Sequence, residues 1–93
     1  MIEIDKVIHQ PVRTKIVALL SSQKKCDFNE IKKTLSLTDG HMSTHMQALL
    51  KAEYVCVEKA FVDNKPRSTY SLTAKGKSAF KKYIKQLRAL VEL

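Results

Sequence analysis

At Tyr54 the spacing of apolar residues in this 93-residue sequence changes from about 3.6 to about 2, and near Thr73 it changes back. Upstream of the first switch the pattern reads as three helices. Between the switches it reads as a strand pair, and after the second as one long helix. The order helix, helix, helix, hairpin, helix predicts an α+β fold that is mostly α. No repeat, linker or low-complexity tract interrupts it, so one domain over residues 1–93 is expected.

The elements carry their own start and stop signals. Pro11 suits a first helical position, where its missing N–H costs nothing. Val12, Ile16, Leu19 and Leu20 then share a stripe that ends in the polar run SSQKK. Ahead of it, Ile2, Ile4, Val7 and Ile8 make a short apolar arm. Asp27 and Glu30 have capping-box spacing and open a short second helix, with Phe28, Ile31 and Leu35 facing inward and an end near Ser36. Thr38 or Asp39 caps the third, in which Met42, Met46, Leu49 and Leu50 repeat at helical spacing. Its other face, Gly40, His41, Ser43, Thr44, Gln47, Ala48 and Lys51 with His45 nearby, is polar and mostly short-chained. Val55, Val57 and the pair Phe61 and Val62 alternate with polar positions, as in a half-buried strand. Asp63-Asn64-Lys65-Pro66 is turn chemistry, and Arg67 to Leu72 is the returning strand. Thr73 caps the last helix, whose stripe is Phe80, Tyr83, Ile84, Leu87, Leu90 and Val91.

Charge narrows the partners. Seventeen Lys and Arg against nine Asp and Glu leave +8. From Asn64 to Val91 there is no acid, while Lys65, Arg67, Lys75, Lys77, Lys81, Lys82, Lys85 and Arg88 supply eight cations. The net charge therefore belongs to the last third of the chain and suggests a polyanionic partner. No apolar run reaches the roughly 18 residues of a membrane helix, and MIEIDKVIHQ lacks a signal-peptide pattern. A soluble, cytoplasmic protein without a membrane partner is expected. Cys26 and Cys56 are too few for a disulfide scaffold and form no zinc pattern.

Two helices joined by three or four residues, the second with a polar face, match a helix-turn-helix. The segments PVRTKIVALL, DFNEIKKTLSLTDGHMSTHMQALLKAEYV and KPRSTYSLTAKGKSAF resemble the small winged helix-turn-helix transcriptional regulators of the MarR/ArsR type, over roughly Val7 to Leu90. The resemblance implies three helices, a β-hairpin wing and a long C-terminal dimerisation helix. It implies a sequence-specific regulator of transcription, more often a repressor, that binds double-stranded DNA as a homodimer at the nucleoid. A recognition helix of about residues 39–52 would enter the major groove, and a wing of about residues 61–68 would meet the minor groove or backbone. The DNA-facing residues are then Thr38, Asp39, Gly40, His41, Ser43, Thr44, His45, Gln47, Lys51, Lys65, Arg67 and Ser68. Gln suits adenine, Ser and Thr read several bases, and Lys51 suits a phosphate. Residues 1–21 and 74–93 would double as dimerisation regions through Ile4, Val7, Ile8, Phe80, Tyr83, Ile84, Leu87, Leu90 and Val91. The sequence departs from the family at Glu53, where a Gly often closes the recognition helix; a left-handed non-Gly residue there costs about 1 kcal/mol.

Other readings are weaker. His41 and His45, at i and i+4, can meet one metal ion, but no third ligand stands at useful spacing, so neither metal nor cofactor is expected. Cys26, beside Lys24 and Lys25 and ahead of a capped helix, has a setting that can lower a thiol pKa, the basis for a thiol- or ligand-responsive sensor of the same fold. A winged helix used as a protein-interaction module, docking an acidic partner through the basic last helix, is a further alternative. No phosphate loop, nucleophile motif or carboxylate pair points to an enzyme, and no catalytic residue is assigned. A chain this short buries only about 60–65% of its unfolded surface, which also favours a dimer.

Overall fold

The computed structural model describes residues 3–93, so Ile2 of the apolar arm lies outside it. The elements follow in the order α1 (Pro11–Gln23), β1 (Cys26–Asp27), α2 (Phe28–Leu35), α3 (Asp39–Lys51), β2 (Val55–Val62), β3 (Lys65–Leu72) and α4 (Ala74–Val91). This is a winged-helix fold: four helices with a three-stranded antiparallel sheet in the order β1-β3-β2. Strand β1, paired as Cys26↔Tyr70 and Asp27↔Thr69, has no sequence signal, because two residues carry no period.

The predicted caps all form. The Asp27 carboxylate accepts the Glu30 N–H at 2.8 Å, and the Glu30 carboxylate accepts the Asp27 N–H at 3.2 Å. Thr38 accepts from the His41 N–H and Thr73 from the Gly76 N–H. The loop of the hairpin is shorter than the expected tetrad. Asp63 and Asn64 alone turn the chain, at φ of 51° and 61°, the left-handed pair that a two-residue hairpin requires. Lys65 and Pro66 already belong to β3, opposite Val62 and Phe61. Pro66 is tolerated there because β1 reaches only Thr69 and Tyr70, leaving the other side of β3 open at the tip.

Glu53 takes the left-handed conformation (φ 63°) that its position demands. Its N–H donates to the Leu50 carbonyl and that of Tyr54 to the Leu49 carbonyl, each at 3.0 Å, so α3 ends in a Schellman motif without glycine. At the end of α1 the Lys25 N–H donates to the Gln23 carbonyl at 2.6 Å across Lys24, which stands at φ 62° and ψ −57°. That tight γ-turn is a strained way to leave a helix.

The core lies between α1, α3 and the inner face of the sheet. Ile8, Ile16, Val17, Leu20, Ile31, Met42, Met46, Leu49, Val55 and Leu72 are buried there, with Tyr83 beneath α4. The arm ahead of α1 forms a single turn rather than a helix. Its organiser is Asp5, whose Oδ1 accepts the N–H groups of Val7 (2.9 Å) and Ile8 (3.0 Å). Asp5 Oδ2 accepts from the Tyr54 hydroxyl at 2.6 Å, and the Asp5 N–H donates to the Gln86 side chain at 3.2 Å. The Tyr54–Asp5 hydrogen bond, then burial and the Asp5 charge, push the Tyr54 hydroxyl up to about 12.

A glycine fixes the seat of α4. A Cβ at Gly76 would overlap the Tyr54 carbonyl, so only glycine lets the first turn of α4 lie against the start of β2. The Thr73 N–H donates to that same carbonyl (3.0 Å), and the Thr73 hydroxyl donates to the Glu53 carbonyl (2.6 Å). The radius of gyration, 14.0 Å, exceeds the ~12 Å of a compact chain of this length, because the wing and the end of α4 project.

Candidate nucleic-acid interface

The short α2 and the turn after it set the attitude of α3. Ser36 stands at φ 54° and closes α2 by the same left-handed device as Glu53, with the Leu37 N–H donating to the Lys32 carbonyl at 2.9 Å. Lys32 Nζ then meets Asp39 Oδ1 at 2.7 Å, across the turn. Asp39 is thus exposed but engaged, and it holds the two helices rather than standing free.

Beyond that pair the predicted reading face is clear of the body. Gly40, His41, Ser43, Thr44, Gln47 and Lys51 are exposed, while Met42, Met46 and Leu49 on the opposite side are buried. Among the described residues, none of the side chains of His41, Ser43, Thr44 and Gln47 has a hydrogen-bond partner within the chain. No atom lies within 4 Å of where a Gly40 Cβ would stand, so internal packing does not require glycine there. Thr38 is spent on capping, which leaves other first-turn N–H groups free to face an anion. His45 is half-buried; burial lowers its pKa, aided by the charges of Arg13 and His41. At neutral pH it is a neutral ring that both donates and accepts.

Lys65 and Arg67 project from the wing. Arg67 Nε is 3.8 Å from Asp27 Oδ2, a loose pair that leaves the guanidinium half exposed. Ser68 is half-buried; burial raises the pKa of Tyr70, two residues on, with Ser68 acting in the opposite sense. Phe61 departs from the half-buried pattern expected of β2: it is 79% exposed, and Val62 beside it is exposed too. The strands simply outrun the helices that cover their lower half. The alternation of residue types is the same along the whole strand, so only the length of the hairpin could have signalled this.

The apolar stripe of α4 divides. Tyr83 is buried in the chain's own core, with its hydroxyl 2.9 Å from His9 Nδ1, and Ile8 is fully buried beside α1. These two are corrections to the expected dimer face, since neither side chain reaches the surface. Ile4, Val7, Phe80 and Leu87 are half-buried against the core, whereas Ile84, Leu90 and Val91 are exposed. Cys26 is also corrected. It is buried, and burial, followed by Glu30 and Asp27, pushes its thiol up rather than down. Cys56 is the exposed cysteine, 3.2 Å from the Ser71 hydroxyl.

The chain matches the family of winged helix DNA-binding domains over residues 12–91. It belongs to that family. It is 35% identical to an uncharacterised protein of Methanocaldococcus jannaschii, MJ0432, over 91% of this chain and 92% of that one. Its fold superposes on a transcriptional regulator homologue from Pyrococcus horikoshii with a TM-score of 0.87, at 29% identity, covering 92% of this chain and 85% of the other. It superposes on diamide-treated YodB of B. subtilis with a TM-score of 0.75 at 18% identity, over 92% and 83% of the two chains, a likeness of fold alone. The structural neighbours are transcriptional regulators of the MarR/ArsR type. Among the described residues, no helix of this family member is long and apolar enough to cross a membrane.

Proposed function

We propose that this chain is a homodimeric regulator of transcription that reads a specific site in double-stranded DNA and acts as a repressor, without a catalytic step. The observation that carries the reading is the α3 face from Gly40 to Lys51. Its donors and acceptors are exposed and unused within the chain, beside a cationic hairpin and above a turn locked by Lys32 and Asp39. His41, Ser43, Thr44, Gln47 and His45 address base edges in the major groove. Lys51, Lys65 and Arg67 address phosphates or the minor groove, and Thr38, Asp39 and Ser68 hold the frame. Such a protein works where the chromosome is, in the cytoplasm.

Residues 1–93 serve as one unit in which the arm and α4 also mediate pairing. The pairing surface is the exposed end of α4, Ile84, Leu90 and Val91, flanked by Ile4, Val7, Phe80 and Leu87. Ile8 and Tyr83 support it only from beneath. A two-fold pair places two α3 helices about one turn of duplex apart, roughly 34–36 Å, and so favours a pseudo-palindrome.

Duplexes selected from a random pool, then titrated at several salt concentrations, test this. Contacts to six to eight phosphates give a log–log slope of roughly −5 to −7. A slope near zero, or a selected site without symmetry together with a monomeric mass in sedimentation, would overturn it.

A further inference from the structure

Among the large apolar side chains of the hairpin, Phe61 is the most exposed, at 79%. Strand alternation puts it on one face with Pro66, its cross-strand partner, and with Lys59 two residues back. The face behind it, with Val62, Lys65 and Arg67, overlooks the start of α2 across a hollow of about 270 Å³. Phe61 forms no wall of that hollow and does not pack against the core, so the body of the chain offers it no cover. Pairing with β1 stops at Thr69, opposite Glu58, and Phe61 lies about 10 Å farther out along the ribbon. The ribbon is stiff there, because a two-residue turn closes it and Pro66 has a fixed φ. Residues 59–68 carry three cations, Lys59, Lys65 and Arg67, against one acid, Asp63. An aromatic ring held out on a stiff cationic support suits a partner with stacked flat rings behind a layer of anions.

We propose that Phe61 is a wedge that enters the minor groove of duplex DNA, partly unstacks one base-pair step beside each site read by α3, and kinks the duplex. The inference rests on the reading of this chain as a duplex-binding regulator and adds to it a deformation of the DNA. The minor groove is about 6 Å wide and about 7.5 Å deep, so the free 10 Å of ribbon can carry the ring to the level of the bases. An apolar side chain inserted there opens a step and bends the helix axis toward the major groove. Lys59, Lys65 and Arg67 then meet the phosphates on either side. Pyrimidine–purine steps unstack most readily, so a TA or CA step is favoured under the wing, at a position that no hydrogen bond reads. An anionic lipid surface would also receive a ring flanked by cations. Membrane binding grows with the apolar area buried, however, and one ring supplies little, whereas a wedge needs only one.

The test uses the full chain on a duplex selected from a random pool. Energy transfer between dyes at the duplex ends reports bending, and 2-aminopurine stepped through the flanks reports unstacking. The parent should bend the duplex by roughly 20° or more per half-site and brighten the probe at one step in each flank. Phe61→Ala should abolish the brightening, reduce the bend and weaken binding about tenfold. Its salt slope should not change, because no phosphate contact is lost. Phe61→Leu, still an apolar wedge, should keep most of the bend. A parent that binds no duplex overturns the regulator reading and the wedge with it. A duplex that is bound but stays straight and stacked overturns the wedge alone, as does equal bending by the parent and Phe61→Ala. Unchanged bending in Phe61→Ala, together with loss of its binding to phosphatidylserine vesicles, would overturn the wedge and assign the tip to a lipid surface.

Discussion

Two segments lie outside the helical body, the arm ahead of α1 and the wing, and they are built in opposite ways. The arm turns one polar side chain, Asp5, inward. Asp5 alone holds Val7, Ile8, Tyr54 and Gln86, and it drives Ile8 to complete burial. The wing keeps almost nothing for itself. Beyond Glu58 and Thr69 its side chains are exposed or half-buried, and among the described residues its one ion pair with the body is the loose one of Arg67 with Asp27. Groups satisfied within the chain make stability, whereas groups left unsatisfied on a stiff hairpin are available to something outside. Stability and binding should therefore separate cleanly between the two segments.

The largest effect that tests this separation is Ile8→Ala. Emptying a fully buried site costs about 2–5 kcal/mol, read as a lower urea midpoint. The folded fraction should bind duplex as the parent does, and a parallel loss of intrinsic affinity would break the distinction. Next comes the wing double variant Lys65→Ala with Arg67→Ala. If Lys65 and Arg67 make the two phosphate contacts proposed for them, their loss should lower affinity about a hundredfold at 50 mM salt and flatten the salt slope by about 2. Its thermal midpoint should not move.

A smaller effect is set by pH. Tyr54 is raised from 10.0 in the unfolded chain to about 12 in the folded one, because the protonated hydroxyl donates to Asp5. A raised pKa contributes stability that is complete below pH 10 and is lost as pH climbs through about 12. Chemical denaturation across that window should show the decline, and Tyr54→Phe should flatten it. A Tyr54→Phe profile identical to that of the parent would detach the arm from β2. The smallest effect belongs to Phe61→Ala. A core phenylalanine would cost about 3–5 kcal/mol, but at 79% exposure this one should change stability by less than about 0.5 kcal/mol.

Helices and caps were legible in the sequence because their signals are local. Asp27 with Glu30, Thr38 and Thr73 each satisfy an N–H within three residues, and the Met42, Met46 and Leu49 stripe needs only its own period. The left-handed site at Glu53 was visible only through the family resemblance, as a position where a Gly often stands. What escaped depends on neighbours far along the chain. Strand β1 exists only because Tyr70 and Thr69 come to it. Tyr83 belongs to the core, not the surface, because of a partner 74 residues away, His9. The reversal at Cys26 has the same origin: sequence neighbours Lys24 and Lys25 suggested a reactive thiol, while folding buries it beside Glu30 and Asp27. The polar face of α3 was readable residue by residue, but its freedom from internal partners needed the fold.

The contact between Gly76 and Tyr54 has one more consequence. The end of α3, the start of β2 and the cap of α4 are bolted together by Glu53, Thr73 and a glycine with no room for a side chain. Helix α4 is then a lever roughly 27 Å long whose fulcrum also carries the back of α3. In a pair joined at the far end of that lever, a small change of packing there would swing both α3 helices. Changes in operator spacing during descent could thus arise at residues such as Leu90 and Val91, which stand far from any base.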